Sequence, residues 1–155
     1  MKVKEIMVQP VIATSENTTL DEAAQMLLQH CIGCLPVVDA EGKLVGIITE
    51  SDFTGRDCGF PFSVYRAPKL FGEWVPEEGI ERIYQAARKR TVKSIMTPCV
   101  VTATEEESVA TLIEGMVHHE LRRIPVVRQG KPVGIVTRHD LLKLIAKGDL
   151  ALVRR

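Results

Sequence analysis

Apolar residues in this chain change their period several times, and each change marks an element. Leu20, Ala23, Ala24, Leu27 and Leu28 recur at helical spacing, and so do Val109, Leu112, Ile113 and Met116 further along. Behind each helix come two β-branched runs, "CLPVVD" and "KLVGIIT" joined by "AEG", then "RIPVVR" and "KPVGIVT" joined by "QG". Such pairs predict hairpins. A short extended piece precedes each helix, Val11–Ala13 and Val100–Thr102, followed by a polar cap segment, "TSENTT" or "TATEEES". A last helix is predicted after Thr49 and again after Thr137.

The order strand, helix, strand, strand, helix therefore occurs twice, and the correspondence is legible residue by residue. A shift of 89 lays Val3, Lys4, Ile6 and Met7 on Val92, Lys93, Ile95 and Met96, and "PVV" from Pro36 on "PVV" from Pro125. One residue is lost in the turn, after which a shift of 88 lays "GKLVGIITESD" on "GKPVGIVTRHD". The chain is a tandem duplication. A copy of about 55 residues buries too little surface to be comfortably stable alone, so two copies packed sheet against sheet are expected. The expected fold class is α/β (α+β), with two β-α-β-β-α repeats related by a pseudo-twofold axis. The domain reading is a first repeat at 1–53, an insert at 54–90 and a second repeat at 91–155.

Composition removes some function classes. Twenty basic residues balance twenty acidic ones, so no general field draws the chain to nucleic acid or to an anionic membrane. No leader-like run and no stretch of about 18 apolar residues is present, which points to the cytoplasm. Four cysteines in 155 residues do not make a secreted disulfide scaffold. A Gly-rich phosphate loop, a His-Glu metal helix and a nucleophile elbow are all missing, and the repeated acid has no evident partner base. The chain reads as a non-enzyme.

The "IM" pairs (Ile6, Met7; Ile95, Met96), the "PVV" strands, and above all "GIITESD" and "GIVTRHD" resemble the cystathionine-β-synthase-type (CBS) domain pair, or Bateman module, over residues 1–53 and 91–148. The resemblance implies a stand-alone regulatory protein that requires no cofactor. Its clefts between repeats would bind an adenosine nucleotide (AMP, ADP or ATP, hence energy sensing) or S-adenosylmethionine, and it would signal to a client protein. It also implies a homodimer, with which the apolar positions of Leu141–Val153 are consistent.

Thr-x-x-Asp at a strand-to-helix junction has two compatible roles. As a capping box it satisfies helix-end amides, worth about 1 kcal/mol; Thr18 with Asp21 and Thr104 with Glu107 offer the same pattern before the other helices. As a ligand site, the carboxylate of Asp52 or Asp140 accepts from both ribose hydroxyls, and Thr49 or Thr137 sits beside sugar and phosphate at a helix N-terminus. By resemblance, Leu35 with Pro36 and Ile124 with Pro125, together with Val11, Ile12, Pro98, Val100 and Val101, form the apolar slots for adenine. The copies differ in charge. Arg122, Arg123, Arg138 and His139 surround the second motif where Gly33, Cys34, Glu50 and Ser51 surround the first, so phosphate should prefer the second side.

Three features lie outside this scheme. All seven aromatics fall between Phe53 and Tyr84, in an irregular segment followed by an amphipathic helix predicted over Glu78–Arg90. That segment is expected to pack on the module, or to anchor a second subunit or client. "CIGC" (Cys31–Cys34) closes a helix instead of opening one, which favours packing over a redox pair; an oxidation switch is the alternative. His118 and His119 point about 100° apart on a helix and do not make a metal pair.

Overall fold

The computed structural model describes residues 1–54, 69–70, 73–74, 85–98 and 101–147. In chain order these form β1 (Thr14–Ser15), α1 (Leu20–Gln29), β2 (Cys34–Val38), β3 (Leu44–Thr49), α2 (Glu50–Thr54), β4 (Lys69–Leu70), β5 (Glu73–Trp74), a helical turn α3 (85–88) and β6 (Thr97–Pro98). There follow β7 (Ala103–Thr104), α4 (Val109–His118), β8 (Arg123–Arg128), β9 (Lys131–Thr137) and α5 (Arg138–Ala146). The expected order is present twice, β1-α1-β2-β3-α2 and β7-α4-β8-β9-α5. Most of the aromatic segment and of the helix expected over 78–90 lies outside the described residues.

Two compact units emerge, and they do not coincide with the two sequence repeats. One comprises Met1–Ile12, Ala40–Leu44 and Cys99–Arg155; the other comprises Ala13–Asp39 and Val45–Pro98. The opening segment of each repeat therefore belongs with the sheet of the other. In the first unit Val3 N–H donates to the Glu107 carbonyl at 2.9 Å, and Val8 and Ile135 exchange backbone hydrogen bonds of 2.9 and 3.2 Å. Lys2 and Lys4 both reach Glu106, whose carboxyl the Lys2 ammonium, then the Lys4 ammonium, hold down at about 2. In the second unit β6 runs antiparallel to β3, with Gly46 opposite Pro98 and Ile47 opposite Thr97.

The sheets follow from local chemistry. β1 pairs parallel with β2 and β7 parallel with β8, each through a helical crossover. Both first strands begin about three residues later than the sequence reading put them, because a ladder forms only where the chain runs beside its partner: Thr14 opposite Val37, Ala103 opposite Val126. The β8–β9 hairpin closes through Gln129 (φ 52°) and Gly130 (φ 77°). Two central residues at positive φ make the turn whose twist matches the strands.

The core of the first unit gathers Val3, Met7, Ala103, Leu112, Met116, Ile124, Val126 and Val136. The second unit buries Val92, Ala23, Leu27, Leu35, Val37 and Ile48, the repeat equivalents of Val3, Leu112, Met116, Ile124, Val126 and Val136, and buries Leu20 as well. Leu28, expected on the apolar face of α1, is 78% exposed, as is its counterpart Val117 at 72%.

This exchange explains why the hairpin strands carry glycine. A Cβ at Gly46 would lie 2.8 Å from both the Met96 sulfur and the Thr97 carbonyl oxygen; one at Gly134 would lie 2.6 Å from the Met7 sulfur and 3.2 Å from the Val8 carbonyl oxygen. The "IM" of each repeat packs over the glycine of the other. Since a backbone carbonyl cannot step aside as a thioether can, Gly46→Ala should cost about 1–3 kcal/mol and more than Gly134→Ala. Denaturant midpoints of the two variants measure this.

Candidate functional site

The strand β9 delivers Thr137 to the start of α5, and three contacts fix that junction. Arg138 N–H donates to the Arg122 carbonyl at 2.9 Å, tying the helix start to the residue before β8. Thr137 N–H donates to Asp140 Oδ2 at 2.9 Å, and the Thr137 hydroxyl donates to the same oxygen at 2.8 Å. Lys143, one turn further along, donates its ammonium to Oδ1 at 3.1 Å. Asp140 is 5% exposed. The first repeat reproduces the arrangement: Glu50 N–H to the Gly33 carbonyl at 3.2 Å, Thr49 N–H to Asp52 Oδ2 at 2.7 Å, and the Thr49 hydroxyl to the same oxygen at 3.1 Å.

The capping chemistry is thus real at both junctions, and it differs from the sequence reading at the other helices. α1 is capped by Thr19 with Glu22, not by Thr18 with Asp21; Thr19 N–H meets Glu22 Oε2 at 3.2 Å. α4 is capped by Ser108, which accepts from Thr111 N–H at 3.0 Å, while Thr104 N–H to Glu107 at 3.2 Å closes the turn before it. A Thr or Ser one to four residues along competes for the same role, and the winner is the residue whose extended backbone precedes the first helical turn.

Burial pushes the Asp140 carboxyl up, but the Thr137 hydroxyl, the Thr137 amide and the Lys143 ammonium together hold it below the ordinary aspartate range. A depressed carboxyl contributes stability that is full above its unfolded value, near pH 4, and is lost as pH falls through its folded value. Asp140→Asn should therefore destabilise the protein at pH 7 and flatten the loss of stability below about pH 4. Chemical denaturation of both proteins across that range reads it out.

The division into units sorts the candidate residues. Val11, Ile12, Val101, Arg122, Arg123, Ile124, Pro125, Thr137, Arg138, His139 and Asp140 fall in the first unit; Leu35, Pro36, Thr49, Asp52 and Pro98 fall in the second. Val11 and Ile12, read as the entry to the first repeat's strand, thus share a unit with the second repeat's Asp140. Val100 lies outside the described residues. Leu35, Pro36 and Ile124 are almost wholly buried, so their side chains serve the cores. Arg122, Arg138 and His139 are exposed, and Arg138 Nε donates to the Leu121 carbonyl at 3.2 Å.

Sequence reasoning missed Lys143, and it missed an open groove of about 470 Å³ lined by Gln9, Pro10, Val11, Arg128, Pro132 and Val133. Arg128 is held there by two hydrogen bonds of 2.7 Å to Glu105. No spacing rule brings residues 9–11 beside 132–133; the Val8–Ile135 bridge does. Cys31 is exposed at φ 51° behind α1, and Cys34 is buried at the start of β2. His118 and His119 stack edge to face with centroids 4.8 Å apart. No three His, Cys, Asp or Glu side chains converge as a metal site among the described residues, and no described helix is long and apolar enough to cross a membrane.

The family model for the CBS domain matches residues 3–57 and 92–147. The crystal structure of the CBS domain of a CBS domain-containing membrane protein from Sphaerobacter thermophilus superposes with a TM-score of 0.73 at 46% identity, covering 93% of this chain and 87% of that one. The CBS domain pair of protein MJ0100, in complex with 5′-methylthioadenosine and S-adenosyl-L-methionine, gives 0.69 at 33% identity over 96% of this chain and 98% of that one. The L-aspartate semialdehyde sulfurtransferase of Methanocaldococcus jannaschii is 35% identical over 92% of this chain. The chain spans 32%, 23% and 42% of the lengths of three curated relatives from that organism.

Proposed function

The chain belongs to the CBS domain family, and from that premise we propose that it is a regulatory module whose Asp140 holds the ribose diol of an adenosine-containing small molecule. The observation that carries the reading is the state of the carboxylate. Asp140 is buried, kept ionised, and fixed through Oδ2 by Thr137, so that Oδ1 is presented in one orientation. An ionised carboxylate is acceptor-only and suits paired hydroxyls. The adenosyl ligands of the MJ0100 domain pair, to which this chain is 33% identical, support the ligand class. Arg122 and Arg138 add positive charge on the same unit, which favours a phosphate-bearing ligand over S-adenosylmethionine. Ligand binding then biases the conformation that a client protein reads.

A thermal-shift panel of AMP, ADP, ATP, S-adenosylmethionine, 5′-methylthioadenosine and guanosine nucleotides tests it. A ligand at about a hundred times its dissociation constant stabilises by about 2.7 kcal/mol, and a chain of this size gains about 2–4 °C per kcal/mol. Adenosine compounds should raise the midpoint by about 5–10 °C and guanosine compounds should not. A flat panel would leave the second reading, a structural module in which Thr137 and Asp140 only cap α5, which the fully formed capping box favours.

The homodimer belongs with this proposal. Leu142 and Ile145 on α5 are 60% and 56% exposed, and they are apolar surface for a second copy to cover. Light scattering that gives a monomer mass would remove it.

A further inference from the structure

The Asp140 carboxylate has fewer acceptor positions to give than a diol needs. Its two oxygens offer about four lone-pair positions. Two on Oδ2 are taken by the Thr137 amide and hydroxyl, and one on Oδ1 by the Lys143 ammonium. One position is left, whereas paired ribose hydroxyls call for two. The Thr137 contacts close the helix cap and are part of the fold. The Lys143 contact is of another kind: a flexible side chain, 54% exposed, pairing within its own helix at i,i+3. Although the carboxylate is only 6% exposed, the ammonium end is half in water, so the lysine can swing away when a better partner takes Oδ1.

Resting on the reading of Asp140 as the diol acceptor, we propose that Lys143 is a charge-sensing specificity residue of that site. It occupies Oδ1, gives it up to the diol, and is then an ammonium without its carboxylate beside the bound ligand. A ligand carrying phosphate supplies a new partner; a neutral or cationic adenosyl compound does not. The device belongs to the second repeat alone, since the position equivalent to Lys143 in the first is Gly55.

Calorimetric titration of the wild type, Lys143→Met and Lys143→Arg with AMP and with 5′-methylthioadenosine separates the outcomes. Removing the competitor should tighten 5′-methylthioadenosine by about two- to fivefold in Lys143→Met. Losing the charge-assisted contact should weaken AMP, so that the preference for AMP falls by about tenfold or more, while Lys143→Arg keeps it. If both affinities in Lys143→Met stay within about twofold of wild type, the role of Lys143 is overturned and the Asp140 site stands. If the wild type binds neither compound, the Asp140 site itself is overturned, and this inference with it.

Discussion

Asp140→Ala should lose at least about a hundredfold in affinity for an adenosine ligand, while Asp52→Ala loses much less. Two hydrogen bonds from hydroxyls to an ionised carboxylate are worth about 1.5–3 kcal/mol each, and about 1.4 kcal/mol is a factor of ten. The second repeat bears the larger loss because its junction combines the acid with Arg122, Arg138 and His139, where the first has Gly33, Glu50 and Ser51. Asp140→Ala also removes the partner of the Thr137 amide, which costs about 1–2 kcal/mol of stability, so the titration belongs well below the variant's unfolding midpoint. Equal losses in the two variants, measured by calorimetry, would refute the asymmetry.

Ile124→Ala should destabilise the protein by about 2–5 kcal/mol, the cost of removing most of a branched side chain from a packed interior. Ile124 is 2% exposed on β8, within the cluster of Val3, Met7, Leu112, Met116, Val126 and Val136. Its Cδ1 faces α4, 4.0 Å from where a Cβ on Gly115 would stand. Ligand affinity of the folded variant should change far less than its stability. Urea unfolding gives the first quantity and titration at low temperature the second; a small stability loss with a large affinity loss would place the side chain against the ligand.

Ile124 also shows what the sequence could and could not tell. Its β-branched neighbours and the "QG" turn announced the β8–β9 hairpin, because strand period and turn chemistry are local. The repeat placed α1, α2, α4 and α5 in the right order, since a duplicated pattern is read twice. The reading of Ile124 as part of an adenine slot rests on resemblance, and its side chain is 2% exposed within the core cluster.

The exchange of opening segments was hidden. Nothing in "KVKEIM" says that Met7 lies over Gly134 and not over Gly46, since both glycines stand in the same motif. That choice is made by the backbone bridge between Val8 and Ile135, a contact across more than a hundred residues. Lys143 escaped notice for a different reason. A lysine three residues after an acid on a helix is an ordinary surface pair, and only the burial of Asp140 and the commitment of its other oxygen give it meaning.

The claim that Asp140 grips a sugar is tested most directly by removing the sugar's hydroxyls instead of the acid. Calorimetric titration of the wild type with AMP and with its 2′,3′-dideoxy analogue should give a loss of about a hundredfold or more for the analogue, and Asp140→Ala should bind the two with the same low affinity. Equal affinities for the two compounds in the wild type would contradict the claim and leave Asp140 as a helix cap.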